Sequence, residues 1–174
     1  MANQLPPLVS ADVPVNERPS NYPEPFASRM AGRFKRALGA RFGLTAFGAN
    51  LTTLMPGAVS ALHHRHSRSD EFVYLLDGEL VLCSSSGEWT LKPGMCAGFP
   101  AQGASHHLEN RSAAPATFLE IGSRTAGDLV TYPADDLVAR ESEGQWRFET
   151  RDGCPLSSAG TGPETSPRCE DRSR

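Results

Sequence analysis

Turn-forming residues punctuate residues 44–132 about every ten positions: Pro56-Gly57, Asp77-Gly78, Ser84 to Gly87, Pro93-Gly94 and Phe99-Pro100. Between them lie short runs at residues 44–55, 71–76, 79–83, 89–91, 105–110, 117–122 and 129–132, most of them rich in β-branched and aromatic residues. No long stretch carries the helical period. Strands of five to six residues in so regular a succession are the pattern of an all-β sandwich or barrel. Asp77-Gly78 reads as a hairpin turn, because glycine accepts the positive φ that a tight hairpin demands. Short helical turns are expected only near residues 28–38 and 133–138.

The two ends read differently. Six of the 14 prolines fall at Pro6, Pro7, Pro14, Pro19, Pro23 and Pro25. A segment so rich in proline is neither a helix nor a central strand. Residues 1–43 are therefore expected to be an extended N-terminal arm, with Tyr22 and Phe26 as its anchors if it docks. Residues 44–150 form the barrel. Residues 151–174 are mostly small, polar and charged, too poor in apolar groups to offset ordering entropy, and are expected to be disordered.

Composition narrows the function classes. Lys and Arg number 17 against 20 Asp and Glu, a net charge of −3, which gives no basic footprint for nucleic acid. Arg33, Lys35, Arg36 and Arg41 are the one basic cluster, and read as a solvated face. No apolar run approaches the ~20 residues that span a bilayer, and the N-terminus lacks a signal-peptide pattern, so a cytoplasmic protein is expected. The four cysteines, Cys83, Cys96, Cys154 and Cys169, form no Cys-x-x-Cys pair and are expected to be free thiols.

Four residues carry the chemistry: His64, His66, Glu71 and His106. Side chains alternate along a strand, so His64 and His66 share a face. Glu71 opens the next strand, and a carboxylate there is costly unless paired or bound to a cation. Val73 and Leu75 continue its face, and Phe72, Tyr74 and Leu76 occupy the other. Both faces are apolar, so this strand is expected to be covered on one side by the barrel and on the other by a second sheet or subunit. Three imidazoles and one carboxylate suit one divalent transition-metal ion per chain, Fe, Mn, Ni, Co, Cu or Zn. Four protein ligands on an octahedral ion leave two positions for water or for a small molecule chelating through oxygen.

His63 and His107 neighbour these residues and are expected to face away, as is Arg65. Phe99 and Phe118 read as core, and so do Phe47 and Met55, although the latter two could line a cavity. Gln102 and Ser105 are placed near the mouth. Glu109 and Glu120 are acid/base candidates by residue type only.

Gly57, His64-x-His66, four residues, Glu71, six residues and Gly78 resemble the first motif of the cupin superfamily. Gly94, Pro100, Gly103, His106 and Asn110 resemble the second. The likeness runs over roughly residues 44–122. It departs by one added residue between Gly57 and His64 and one between Pro100 and Gly103, both within turns. It implies a double-stranded β-helix, or jelly-roll, barrel that commonly forms a homodimer. It does not imply one reaction: dioxygenase, isomerase and lyase types all occur, as do non-catalytic binding and sensing modules. The expectation is a cupin that binds a divalent metal and acts on, or alternatively only binds or senses, a small metal-chelating metabolite.

Overall fold

The computed structural model describes residues 5–17 and 20–156. Its regular structure is almost wholly strand, in three antiparallel sheets. The first has the order β1(Arg33–Ala37), β2(Phe47–Leu54), β9(Ala116–Ser123), β4(Glu71–Asp77), β7(Cys96–Phe99). The second has the order β13(Pro155–Leu156), β12(Gln145–Glu149), β11(Leu137–Ser142), β10(Leu129–Tyr132), β3(Arg65–His66). The third joins β6(Gly87–Leu91), β5(Leu80–Ser84) and β8(His106–Glu109). A four-residue helix, α1(Leu38–Arg41), and two short 3-10 turns complete the described elements. The fold is all-β and consistent with a jelly roll. No helix among the described residues is long and apolar enough to cross a membrane.

Strand alternation builds two adjoining cores. Leu54, Val73, Leu75, Leu80, Leu82, Leu91, Leu108 and Phe118 fill one. Met30, Leu62, Val130, Tyr132, Leu137, Ala139 and Phe148 fill the other, and Tyr22 and Phe26 pack against it. Phe72, Tyr74 and Leu76, on the outer face of β4, are 39%, 38% and 48% exposed. Among the described residues none covers them, so the second sheet expected over this face is not found there, and the expected alternative, a subunit, is left as a proposal.

Several local expectations are corrected. Asp77-Gly78 is not a hairpin turn. β4 pairs with β9 and β7, whereas β5 pairs with β6 and β8, so Gly78 carries the chain from one sheet to another. Its φ is +82°, and a Cβ built on it would lie 2.7 Å from Ala116 Cα. The glycine thus serves a sheet corner, where the backbone must pass closely over β9. Residues 33–37, read as part of the arm, pair along their length with β2 and belong to the first sheet. Residues 137–142 and 145–149, which lack a strong turn dipeptide, form the β11–β12 hairpin around Glu143 and Gly144, both with positive φ. β13 lies inside the segment expected to be disordered, whose residues 157–174 fall outside the described part. Cys83 and Cys96 are free, but Cys154 is disulfide-bonded, a pairing that sequence spacing does not reveal. Cys169 lies outside the described residues.

Candidate metal centre

His64 and His66 point to the same side, as their spacing requires. His64 lies just ahead of β3 and bridges to His106, each backbone N–H donating to the other's carbonyl. Glu71 begins β4 opposite Gly122 of β9. Its Oε2 is 3.3 Å from His64 Nε2, 3.6 Å from His66 Nε2 and 3.2 Å from His106 Nε2. The donor atoms of His64, His66 and Glu71 all lie within 4.8 Å of one another, and His106 joins the group through Glu71.

The opposite ring nitrogens define the tautomers. His64 Nδ1 donates to the Leu62 carbonyl at 2.8 Å and His66 Nδ1 to Asp128 Oδ2 at 2.6 Å. His106 Nδ1 faces the Ala104 carbonyl at 3.4 Å. Carbonyls and carboxylates only accept, so each neutral ring carries its proton on Nδ1 and turns the Nε2 lone pair inward. Three lone pairs then converge on a buried carboxylate oxygen that has no hydrogen-bond partner. Such a set is repulsive unless a cation sits within it. This donor set fits a divalent ion, and the Nδ1 partners hold the rings as second-layer groups commonly do around metals. Burial alone would lower His64 and raise Glu71. The contact between them prevails, so His64 is raised from its ordinary value and Glu71 falls well below the usual carboxylate value.

Asp128 was missed in the sequence. It is buried directly before β10, 62 residues beyond His66. Its second oxygen, Oδ1, accepts from Ser67 N–H, Ser67 Oγ and Arg68 N–H, which fixes the loop between His66 and Glu71. Only an Asp-Leu-Val run marked this position, and no local signal ties it to a histidine so far upstream. Asn110, the last residue of the second motif, is structural. Its side-chain amide donates to the carbonyls of Leu54 and Ala114.

The cluster opens into a cavity of about 430 Å³ between the first and second sheets. Phe99 stacks flat on His106, Tyr132 stacks on His64, and Trp146 meets His66 edge-on. Phe99 thus walls the site as well as packing on the core. Phe47 and Met55 belong to neither, being partly exposed outside the cavity. Gln102 and Ser105 do not line it. Arg33 and Lys35 do, which corrects their reading as a solvated face. β1 turns both inward, where Arg33 is buried and Lys35 pairs with Glu120. Of the two acids selected by type, Glu120 enters the cavity. Glu109 stands apart, accepting from His107 at 2.8 Å and pairing with Arg111. His63 and His107 face each other across 3.0 Å, away from the cluster.

A family model for the cupin domain, Cupin_2, matches residues 50–122. A sugar phosphate isomerase of the cupin superfamily from Silicibacter pomeroyi is 39% identical, with 87% of this chain and 97% of that one aligned at a TM-score of 0.81. This chain belongs to the cupin superfamily. A second solved structure, from Acidithiobacillus ferrooxidans and named only as a candidate sugar phosphate isomerase, is 30% identical over 68% of this chain and 76% of that one, TM-score 0.64. The polyketide cyclase RemF from Streptomyces resistomycificus, 17% identical over 68% and 79% of the two chains at a TM-score of 0.57, shares the fold alone. No curated protein matches this cupin.

Proposed function

We propose that this cupin is a metal-dependent enzyme for a small molecule that chelates a divalent transition-metal ion, and that its reaction is of the sugar isomerase kind. The observation that carries the metal is the convergence of three imidazole lone pairs on the unpartnered Oε2 of Glu71. His64, His66, Glu71 and His106 would hold the ion, which when bound supplies Lewis acidity toward a carbonyl or hydroxyl oxygen. Phe99, Tyr132 and Trp146 shape the adjoining wall and limit water around the reacting atoms. Arg33, Lys35 and Arg124 outnumber Glu71 and Glu120 along the cavity, which favours an anionic substrate. The 39% identical relative, described as a sugar phosphate isomerase, supports isomerisation over the other cupin chemistries.

Elemental analysis of the purified protein tests the metal. About one divalent ion per chain is expected, with most of it lost in His66→Ala and Glu71→Ala. Interconversion of aldose and ketose phosphates, abolished by a chelator, tests the reaction. Saturable binding of such a compound without turnover would assign a binding role instead.

A homodimer is also proposed. Phe72, Tyr74 and Leu76 form an exposed apolar patch on the outer face of β4, the kind of surface that a second copy covers.

A further inference from the structure

The cavity carries a second polar group beside the histidine cluster. Lys35 on β1, Asn50 on β2 and Glu120 on β9 all line it. Register places Asn50 opposite Glu120, and Glu120 opposite Val73, two positions along β4 from Glu71. Glu120 and Glu71 are therefore diagonal neighbours on one face, a separation of roughly 7–8 Å between strands.

Both partners of Glu120 engage the same oxygen. Asn50 Nδ2 donates to Oε1 at 3.0 Å, and the Lys35 ammonium pairs with Oε1 as well. Among the described residues no hydrogen bond engages Oε2. A partly buried ion pair is an expensive way to fill a barrel interior that Leu or Val would fill as well. Groups of this kind concentrate where chemistry is done. A carboxylate clamped through one oxygen, on a residue that lines a cavity, has the makings of a general base.

We infer that Glu120 is a proton-transfer residue of this cavity, held in place by Lys35 and Asn50 as positioning residues. The inference rests on the metal-dependent isomerase reading above. Oε2 takes the proton from the hydroxyl-bearing carbon beside the substrate carbonyl. The C–H electron pair becomes the carbon–carbon double bond of an enediolate, and the carbonyl electrons move onto oxygen. Return of the proton to the former carbonyl carbon, with a proton passing between the two oxygens, completes an aldose–ketose exchange. No oxidant, reductant or second substrate is consumed.

An epoxide label tests this without a known substrate. The full-length protein is treated with glycidol and with glycidol phosphate. A carboxylate oxygen attacks the terminal epoxide carbon, the ring C–O bond opens, and the alkoxide takes a proton from water to leave a stable ester. Peptide mass mapping should place the adduct of at least one reagent on Glu120 faster than on any surface carboxylate. Glu120→Gln, which can still accept from Asn50, should abolish that adduct, and Lys35→Met and Asn50→Ala should slow it at least tenfold. Metal content and melting temperature serve as the second readout, and Glu120→Gln should keep the wild-type metal content. Metal-loaded, folded protein in which Glu120 is labelled by neither reagent, or no faster than exposed carboxylates, overturns the inference. Undiminished labelling in both partner variants overturns the positioning roles. Wild-type protein that holds no divalent ion overturns the isomerase reading itself, whatever the label shows.

Discussion

His66 donates from Nδ1 to Asp128 Oδ2 at 2.6 Å, joining β3 to the residue directly before β10 and aiming the opposite ring nitrogen at Glu71. Burial would raise the Asp128 carboxyl. The hydrogen bonds from His66, Ser69 and the Arg68 backbone outweigh it and hold the group ionised. Asp128→Asn tests the link. An amide NH₂ facing Nδ1 favours the other tautomer, whose Nε2–H points into the cluster and cannot ligate. Metal affinity is expected to fall about 10- to 100-fold, measured by competition with a calibrated chelator. Unchanged affinity would show that Asp128 only braces the loop.

Metal binding is expected to strengthen as pH rises. His64 is raised above 6.5 in the metal-free protein because, although burial opposes it, Glu71 stabilises its charge. A raised folded-state pKa contributes stability that is present below the unfolded value and lost as pH rises through the folded one. Metal-free protein should therefore lose stability between about pH 6.5 and the His64 titration, whereas metal-loaded protein should not. The ion displaces that proton, so calorimetry in two buffers of different ionisation enthalpy should detect proton release below the same range. Saturating metal at ~1,000 times Kd should add about 4 kcal/mol. Release of no proton would place the apo charge elsewhere.

Gly78→Ala is expected to destabilise by about 3 kcal/mol, lowering Tm by about 6–12 °C. The added Cβ meets both a positive φ and backbone atoms of Pro115 and Ala116 at 2.7 Å, none of them a flexible side-chain end. Thermal unfolding measures the loss, and a change below about 1 kcal/mol would mean that the corner relaxes.

Phe72→Glu should convert a homodimer to monomer in sedimentation velocity, because it puts two like charges across a twofold interface. Phe72 is 39% exposed on the outer face of β4, so the folded chain itself should tolerate the change. A variant that sediments as wild type would move the interface off this sheet.

Cys83 should resist alkylation at pH 8. Burial, with Glu109 and Glu88 nearby, pushes its thiol up to about 11, so little thiolate forms. Exposed Cys96 should react first, as judged by peptide mapping with iodoacetamide.

How much was legible depended on range. The all-β class and most strands from 47 to 132 followed from turn residues and alternation, which are local. His64 and His66 fell on one face by period two, and His63 and His107 turned away for the same reason. The corner at Gly78 read as a hairpin because a turn dipeptide fixes local φ and not the sheet that the next strand joins. Arg33 and Lys35 read as solvated because charge suggests surface until β1 is known to pair with β2. Asp128 and Glu120 carried no distinguishing motif.

The sequence alone determined the donor types, their spacing within each motif and the strand periods that point them inward, because these depend on covalent chemistry and backbone geometry. Tertiary structure alone decided that residues separated by 62 positions, His66 and Asp128, share a proton, and that Glu120 rather than Glu109 shares the cavity with Glu71. Strand partnering sets those neighbours, and it is fixed by packing the whole set of sheets, which no single segment encodes.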